Sequence, residues 1–119
     1  MTLSEQEDRV PLGCARYSVQ LSKPLGIVLE EDKSGTIFVA EVVPGGNADR
    51  SGEVSVGDQL IATSGFTYTT QRRYQENWVK GGEQIVRMNV RGEDFKTVMA
   101  AIGSHPAHIK VQLEFQRCG

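Results

Sequence analysis

The side chains that could do chemistry are few and far apart. His105 and His108 fall in one short stretch, HPAH. Two histidines three apart can share a metal on one helical face, but Pro106 disrupts that spacing and no third ligand lies nearby in sequence, so an ordinary loop is expected. Cys14 and Cys118 stand at opposite ends of the chain, in neither a metal-ligand spacing nor a disulfide framework, and read as two free thiols in a reduced, intracellular-type compartment. No Ser or Cys carries the local signature of an activated nucleophile, so no catalysis and no cofactor are expected. Arg72, Arg73, Tyr74 and Trp78 mix cations with aromatics as single-strand binders do. Glu76 interrupts them, however, and 13 Lys+Arg against 15 Asp+Glu leave a formal charge of -2. Without a positive excess to displace counterions, nucleic acid and an acidic membrane surface are poor partners.

Those residues must be positioned by elements that the hydrophobic pattern lays out. The chain has 119 residues, 39% of them hydrophobic, enough for one self-sufficient core. No apolar run is long enough to span a bilayer, and the opening stretch as far as Val10 lacks a signal-peptide pattern; residues 1–14 read as a flexible lead-in. Tyr17, Val19 and Leu21 alternate with polar residues as a half-buried strand does. Leu25 to Glu30 and Thr36 to Val43 read as an antiparallel hairpin across the polar turn Glu31 to Gly35. A helical turn follows at residues 47–51, with Asn47 as its cap and Gly52 as its stop. Gln59 to Ser64 and Phe66 to Thr70 read as separate strands, residues 71–82 as a loop, and Gln84 to Val90 as an additional strand. Asp94 caps a helix from Phe95 to Ile102 that ends at Gly103. Alternation of Ile109, Val111, Leu113 and Phe115 closes the pattern with a last strand. The expected fold is mostly β (α+β), a small antiparallel barrel or sandwich of five to seven strands with two helices.

Several segments, in order, resemble the PDZ family. Lys23-Pro24-Leu25-Gly26-Ile27 is similar to its carboxylate-binding loop, an apolar-Gly-apolar triplet with a basic residue upstream. GTIFVAEVVPGG resembles its third strand and exit, NADRSGEVSVGDQLIATS its short helix, turn and fourth strand, Phe95 to Ile102 its second helix, and Ile109 to Phe115 its closing strand. The likeness spans about residues 15–116 except for 71–92, an insertion longer than the family's usual link, and the domain is expected over 15–117. Pro24 stands where the family usually has a glycine, which implies a stiffer loop. The texture of NADRSGEVSVGDQL and the long link resemble PDZ domains of plant and algal chloroplast proteins, which implies a plastid location only if the source is a plant or alga.

The resemblance implies a module that binds the C-terminal peptides of other proteins, monomeric as an isolated domain and without membrane insertion. Gly26 permits close backbone approach, so the amides of Leu25, Gly26 and Ile27 can form an anion nest, with Lys23 adding attraction. The plainer alternative is a tight strand entry. Phe95, Met99 and Ile102 form one helical stripe opposite the strand that carries Ile27, Val28 and Leu29. Eight helical residues span about 12 Å, matching about four residues of an extended peptide added to that strand. Leu25, Ile27, Leu29 and Ile102 would line an apolar pocket for the terminal side chain. Many relatives open the helix with a histidine that bonds a Ser or Thr two places before the peptide's end; Phe95 stands there instead and favours an apolar residue, unless it folds back into the core. A groove filled in cis, action through the 71–92 hairpin, or an accessory role beside a processing protease are the other readings. The resemblance also brings Cys14 and Cys118 together on paired outer strands, which would allow a disulfide.

Overall fold

A computed structural model describes residues 10–68 and 83–119. Residues 1–9 of the expected lead-in and the expected loop at 71–82 lie outside the described residues. The strands are β1 (Cys14–Leu21), β2 (Ile27–Glu31), β3 (Ile37–Val42), β4 (Gln59–Tyr68), β5 (Glu83–Asn89) and β6 (Val111–Cys118). They make one antiparallel sheet in the order β1-β6-β4-β3-β2, with β5 also paired to β4. The helices are α1 (Asn47–Ser51) and α2 (Phe95–Gly103). The expected mostly-β architecture with two helices is the one observed.

Period-two alternation decides which face of each strand is buried. Val19 and Leu21 of β1, Ile37 and Val39 of β3, and Val111, Leu113 and Phe115 of β6 enter one core with Leu29, Leu60, Val98 and Ile102. The β2–β3 turn is fixed by Asp32, whose side chain accepts from the amides of Ser34 (2.9 Å) and Thr36 (3.0 Å). Asp94 caps α2 by accepting from Thr97 N at 2.9 Å, as its position predicts.

Beyond shifts of a residue or two at strand ends, three boundaries and the state of the cysteines depart from the pattern reading. Residues 59–68 form one continuous β4 because Gly65 does not break it: a Cβ there would meet the Ala101 Cβ at 3.2 Å, so the glycine lets α2 lie close on the strand. β6 starts at Val111 and runs to Cys118; Ile109 belongs to a turn, donating from its amide to Pro106 O at 3.1 Å. Gly46, not Asn47, occupies the N-cap of α1, while Gly52 does terminate it with φ +72°. Cys14 and Cys118 are not free thiols. Their residues are direct partners in the β1–β6 register, and a disulfide joins them. Their separation of 104 residues in the chain hides what the pairing of the first and last strands brings together.

Candidate functional site

Between β2 and α2 lies a groove of about 940 Å³. Its lining includes Lys23, Leu25, Gly26, Ile27, Leu29, Met99 and Ile102. β2 is the terminal strand of the sheet order, paired with β3 on one side only among the described residues. Ile27 and Leu29 share the groove face; Val28, 39% exposed, alternates to the other face, is paired with Glu41 of β3 and is not among the residues that line the groove, contrary to its expected place in the site.

The loop that enters β2 is built from peptide planes. Pro24 O accepts from Asn47 Nδ2 at 3.0 Å, Leu25 O from Ala48 N at 2.9 Å and Gly26 O from Val43 N at 2.9 Å. Three successive carbonyls are therefore held by the β3–α1 segment. The Lys23–Pro24 peptide is cis, but the three peptides from Pro24 to Ile27 are trans. In a trans peptide the C=O and N–H point in opposite directions, so the amides of Leu25, Gly26 and Ile27 are all turned away from that segment. Neither Leu25 N nor Gly26 N donates to another protein group among the described residues. The Ile27↔Val42 register, with Val43 N bonded to Gly26 O, likewise aims Ile27 N away from β3.

Gly26 makes this possible. It has φ +82°, and a Cβ on it would lie 3.1 Å from Asn47 N and 3.2 Å from Gly46 Cα. A Cβ on Gly46 would in turn meet Gly26 Cα at 3.1 Å, so two glycines let the two loops touch backbone to backbone.

Electrostatically, the groove is one-sided. Among the described residues Lys23 and Arg50 line it, and no carboxylate does. Lys23 Nζ donates to Gly103 O at 3.0 Å, tying the loop to the end of α2. Arg50 Nη1 donates to Gly45 O at 2.8 Å and Nη2 to Asn47 Oδ1. Both cations are bonded to oxygens that carry no full charge.

Phe95 does not line the groove; it is half-buried and packs against the core cluster. Met99 and Ile102 do line it, and Ile102 is shared with the core. Val43, Gly46, Asn47, Arg50 and Ala107 also line it and were not read from the sequence. Asn47 had a sequence signal, an asparagine opening a helix, but its side chain caps no amide of that helix; its carboxamide nitrogen reaches back to a loop more than twenty residues earlier. His105 is buried with Nε2 3.0 Å from Ser64 Oγ, and His108 is exposed. Away from the groove, buried Asp58 accepts from Tyr17, from Arg117 Nε at 2.9 Å and Nη2 at 2.7 Å, and from Ser55 N at 3.0 Å.

Against known families, residues 18–91 match the PDZ domain model. That stretch takes in the loop, β2, β3, α1 and β4 and stops before α2. The chain is 35% identical over 48 residues to a chloroplastic protein of Arabidopsis thaliana, covering 40% of this chain and 14% of that protein. It is 44% identical over 55 residues to MAGUK p55 subfamily member 3 of Rattus norvegicus (45% of this chain, 9% of that protein). With MAGUK p55 subfamily member 7 of Danio rerio it shares 44% over 65 residues (54% and 11%). The chain thus matches only 9% to 14% of the length of these relatives.

Proposed function

The chain belongs to the PDZ domain family, a family of non-catalytic protein-interaction modules, and from that premise we propose that its groove binds the C-terminal carboxylate and last residues of partner proteins. The observation that carries this reading is the common orientation of the Leu25, Gly26 and Ile27 amides, with their carbonyls held on the far side. A carboxylate needs several converging donors and no side chain in the way, and Gly26 supplies the second condition. Lys23 and Arg50, with no acid among the lining residues, give the groove the complementary charge.

The peptide adds to the open edge of β2 as an antiparallel strand, gaining ladder hydrogen bonds that depend little on its sequence. Selectivity comes from Leu25, Ile27, Leu29 and Ile102, which favour an apolar terminal side chain worth about 1.5–3 kcal/mol on burial. Two places before the end, the partner presents an apolar residue to Met99, because Phe95 at the start of α2 offers no hydrogen bond. So short a strand gains little over its ordering cost, and dissociation constants around micromolar are expected. The chain does not act as an enzyme in this reading.

A library of hexapeptides displayed with free or amidated C-termini tests it. Free acids ending in Val, Leu, Ile or Phe should bind, and amidation should abolish binding. Equal capture of acids and amides sinks the reading.

A further inference from the structure

We infer that Asn47, held in orientation by Arg50, is a positioning residue for the anion-facing loop; this rests on the reading of the groove as a carboxylate site. Of the three carbonyls turned back from the groove, those of Leu25 and Gly26 meet backbone amides of Ala48 and Val43. The third, Pro24 O, meets a side chain, Asn47 Nδ2 at 3.0 Å, and the same nitrogen donates to Ser22 O at 2.9 Å. Both N–H groups of the carboxamide are used.

Its oxygen accepts from Arg50 Nη2, while Arg50 Nη1 is anchored on Gly45 O at 2.8 Å. Arginine can only donate, so this contact fixes which end of the Asn47 amide faces the loop. The Pro24–Leu25 peptide plane then cannot turn without giving up its partner, and the direction of Leu25 N–H is set from α1. Two of the three amides are aimed by the fold's backbone; the first is aimed by one exchangeable side chain. Asn47 and Arg50 act through the loop in this arrangement, and Asn47 need not touch the ligand.

Removing Asn47 lets the Pro24–Leu25 plane rotate and takes one donor out of the converging set. The loss falls on ligands that present a charged carboxylate, since a C-terminal amide makes no charge-assisted bond there. Fluorescein-labelled hexapeptides ending in valine, as free acid and as C-terminal amide, are titrated against wild type, Asn47→Ala, Asn47→Asp and Arg50→Lys, with a thermal melt on each. Lysine keeps the groove's positive charge but lacks the planar fork that spans Gly45 O and Asn47 Oδ1. The acid-to-amide affinity ratio should fall about tenfold in both Asn47 variants and about threefold in Arg50→Lys, the acid alone carrying the change. A folded Asn47→Ala that keeps the wild-type ratio overturns the inference while leaving the carboxylate reading intact. Should Asn47→Ala and Asn47→Asp fail to fold, Arg50→Lys, whose side chain lies outside the core, decides in the same way: a lowered ratio supports the brace and an unchanged one overturns it. A wild type that binds acid and amide equally removes the carboxylate reading itself and this inference with it.

Discussion

At the scale of the residue, two positions show how backbone and charge set the limits. Gly26 combines a positive φ of +82° with a backbone wall about 3 Å from where a Cβ would sit. Gly26→Ala must both strain the dihedral and push the loop off Gly46 and Asn47, at a cost of about 1–3 kcal/mol in stability. Because the push moves the loop amides themselves, titration with free-acid peptide should show affinity falling by at least about tenfold. A folded variant with wild-type affinity contradicts this. Asp58 is the opposite case, a buried carboxylate whose role is structural. Burial by itself would raise its pKa, but hydrogen bonds from Arg117, Tyr17 and Ser55 N outweigh it and hold the carboxyl below its ordinary value. The same cluster, burial first and then the Asp58 bond, pushes the Tyr17 phenol well up. A depressed folded pKa means that the unfolded chain binds the proton more readily. The stabilisation is therefore complete above the unfolded value near 4 and is lost as pH falls through the lower folded one. Asp58→Asn should cost about 2 kcal/mol at neutral pH, with Arg117 half-exposed and the pair screened accordingly, and should flatten the acid limb of a stability–pH curve. Urea melts from pH 3 to pH 7 measure both; a variant with an unchanged acid limb would mean that other carboxylates carry it.

At the scale of the element, local chemistry was legible wherever it was self-contained. The β2–β3 hairpin, the Asp94-capped helix and the Gly52 stop each depend on residues within a few positions of one another, and the sequence announces them. The loop Lys23 to Ile27 was legible too, because an apolar-Gly-apolar triplet in register with other family segments is a local signal. What the sequence hid depends on partners far along the chain. Gly65 reads as a strand breaker until α2 is seen lying on it; Asn47 reads as a helix cap until its side chain is seen reaching Pro24 O. Phe95 fits a groove stripe by helical period, but it also stands three and seven residues before the buried Val98 and Ile102, and it packs on the core side with them. The β4–α2 seam gives a direct check. Gly65→Val inserts a branched side chain where even a Cβ meets Ala101 at 3.2 Å, so α2 must shift outward. The expected cost is about 1–3 kcal/mol, seen as a melting midpoint lowered by roughly 4–12 °C. A midpoint within 1 °C of wild type, on the order of measurement error, would show that the seam accommodates the added volume without strain.

For the molecule as a whole, the sheet order separates what holds the chain together from what it binds with. β1 and β2 occupy opposite ends of the order β1-β6-β4-β3-β2. The disulfide between Cys14 and Cys118 sits at the β1–β6 end, whereas the groove opens at the β2 end against α2. A cross-link spanning 104 residues limits the unfolded chain more than the folded one, and bonds of this kind are worth about 2–4 kcal/mol. Its β1–β6 register is already fixed by eight paired positions from Cys14↔Cys118 to Leu21↔Val111, so the folded sheet keeps its alignment when the bond opens. Reduction with a dithiol, or Cys118→Ser, should accordingly lower the thermal midpoint by roughly 10 °C. Peptide affinity measured well below that midpoint should not change, since no groove residue lies on β1 or β6. Two measurements on one sample, a melt and a peptide titration with and without reductant, separate the effects. An affinity that falls with reduction at a temperature where the chain remains folded would mean that the sheet transmits strain from one edge to the other, and the division between fastening and binding would have to be given up.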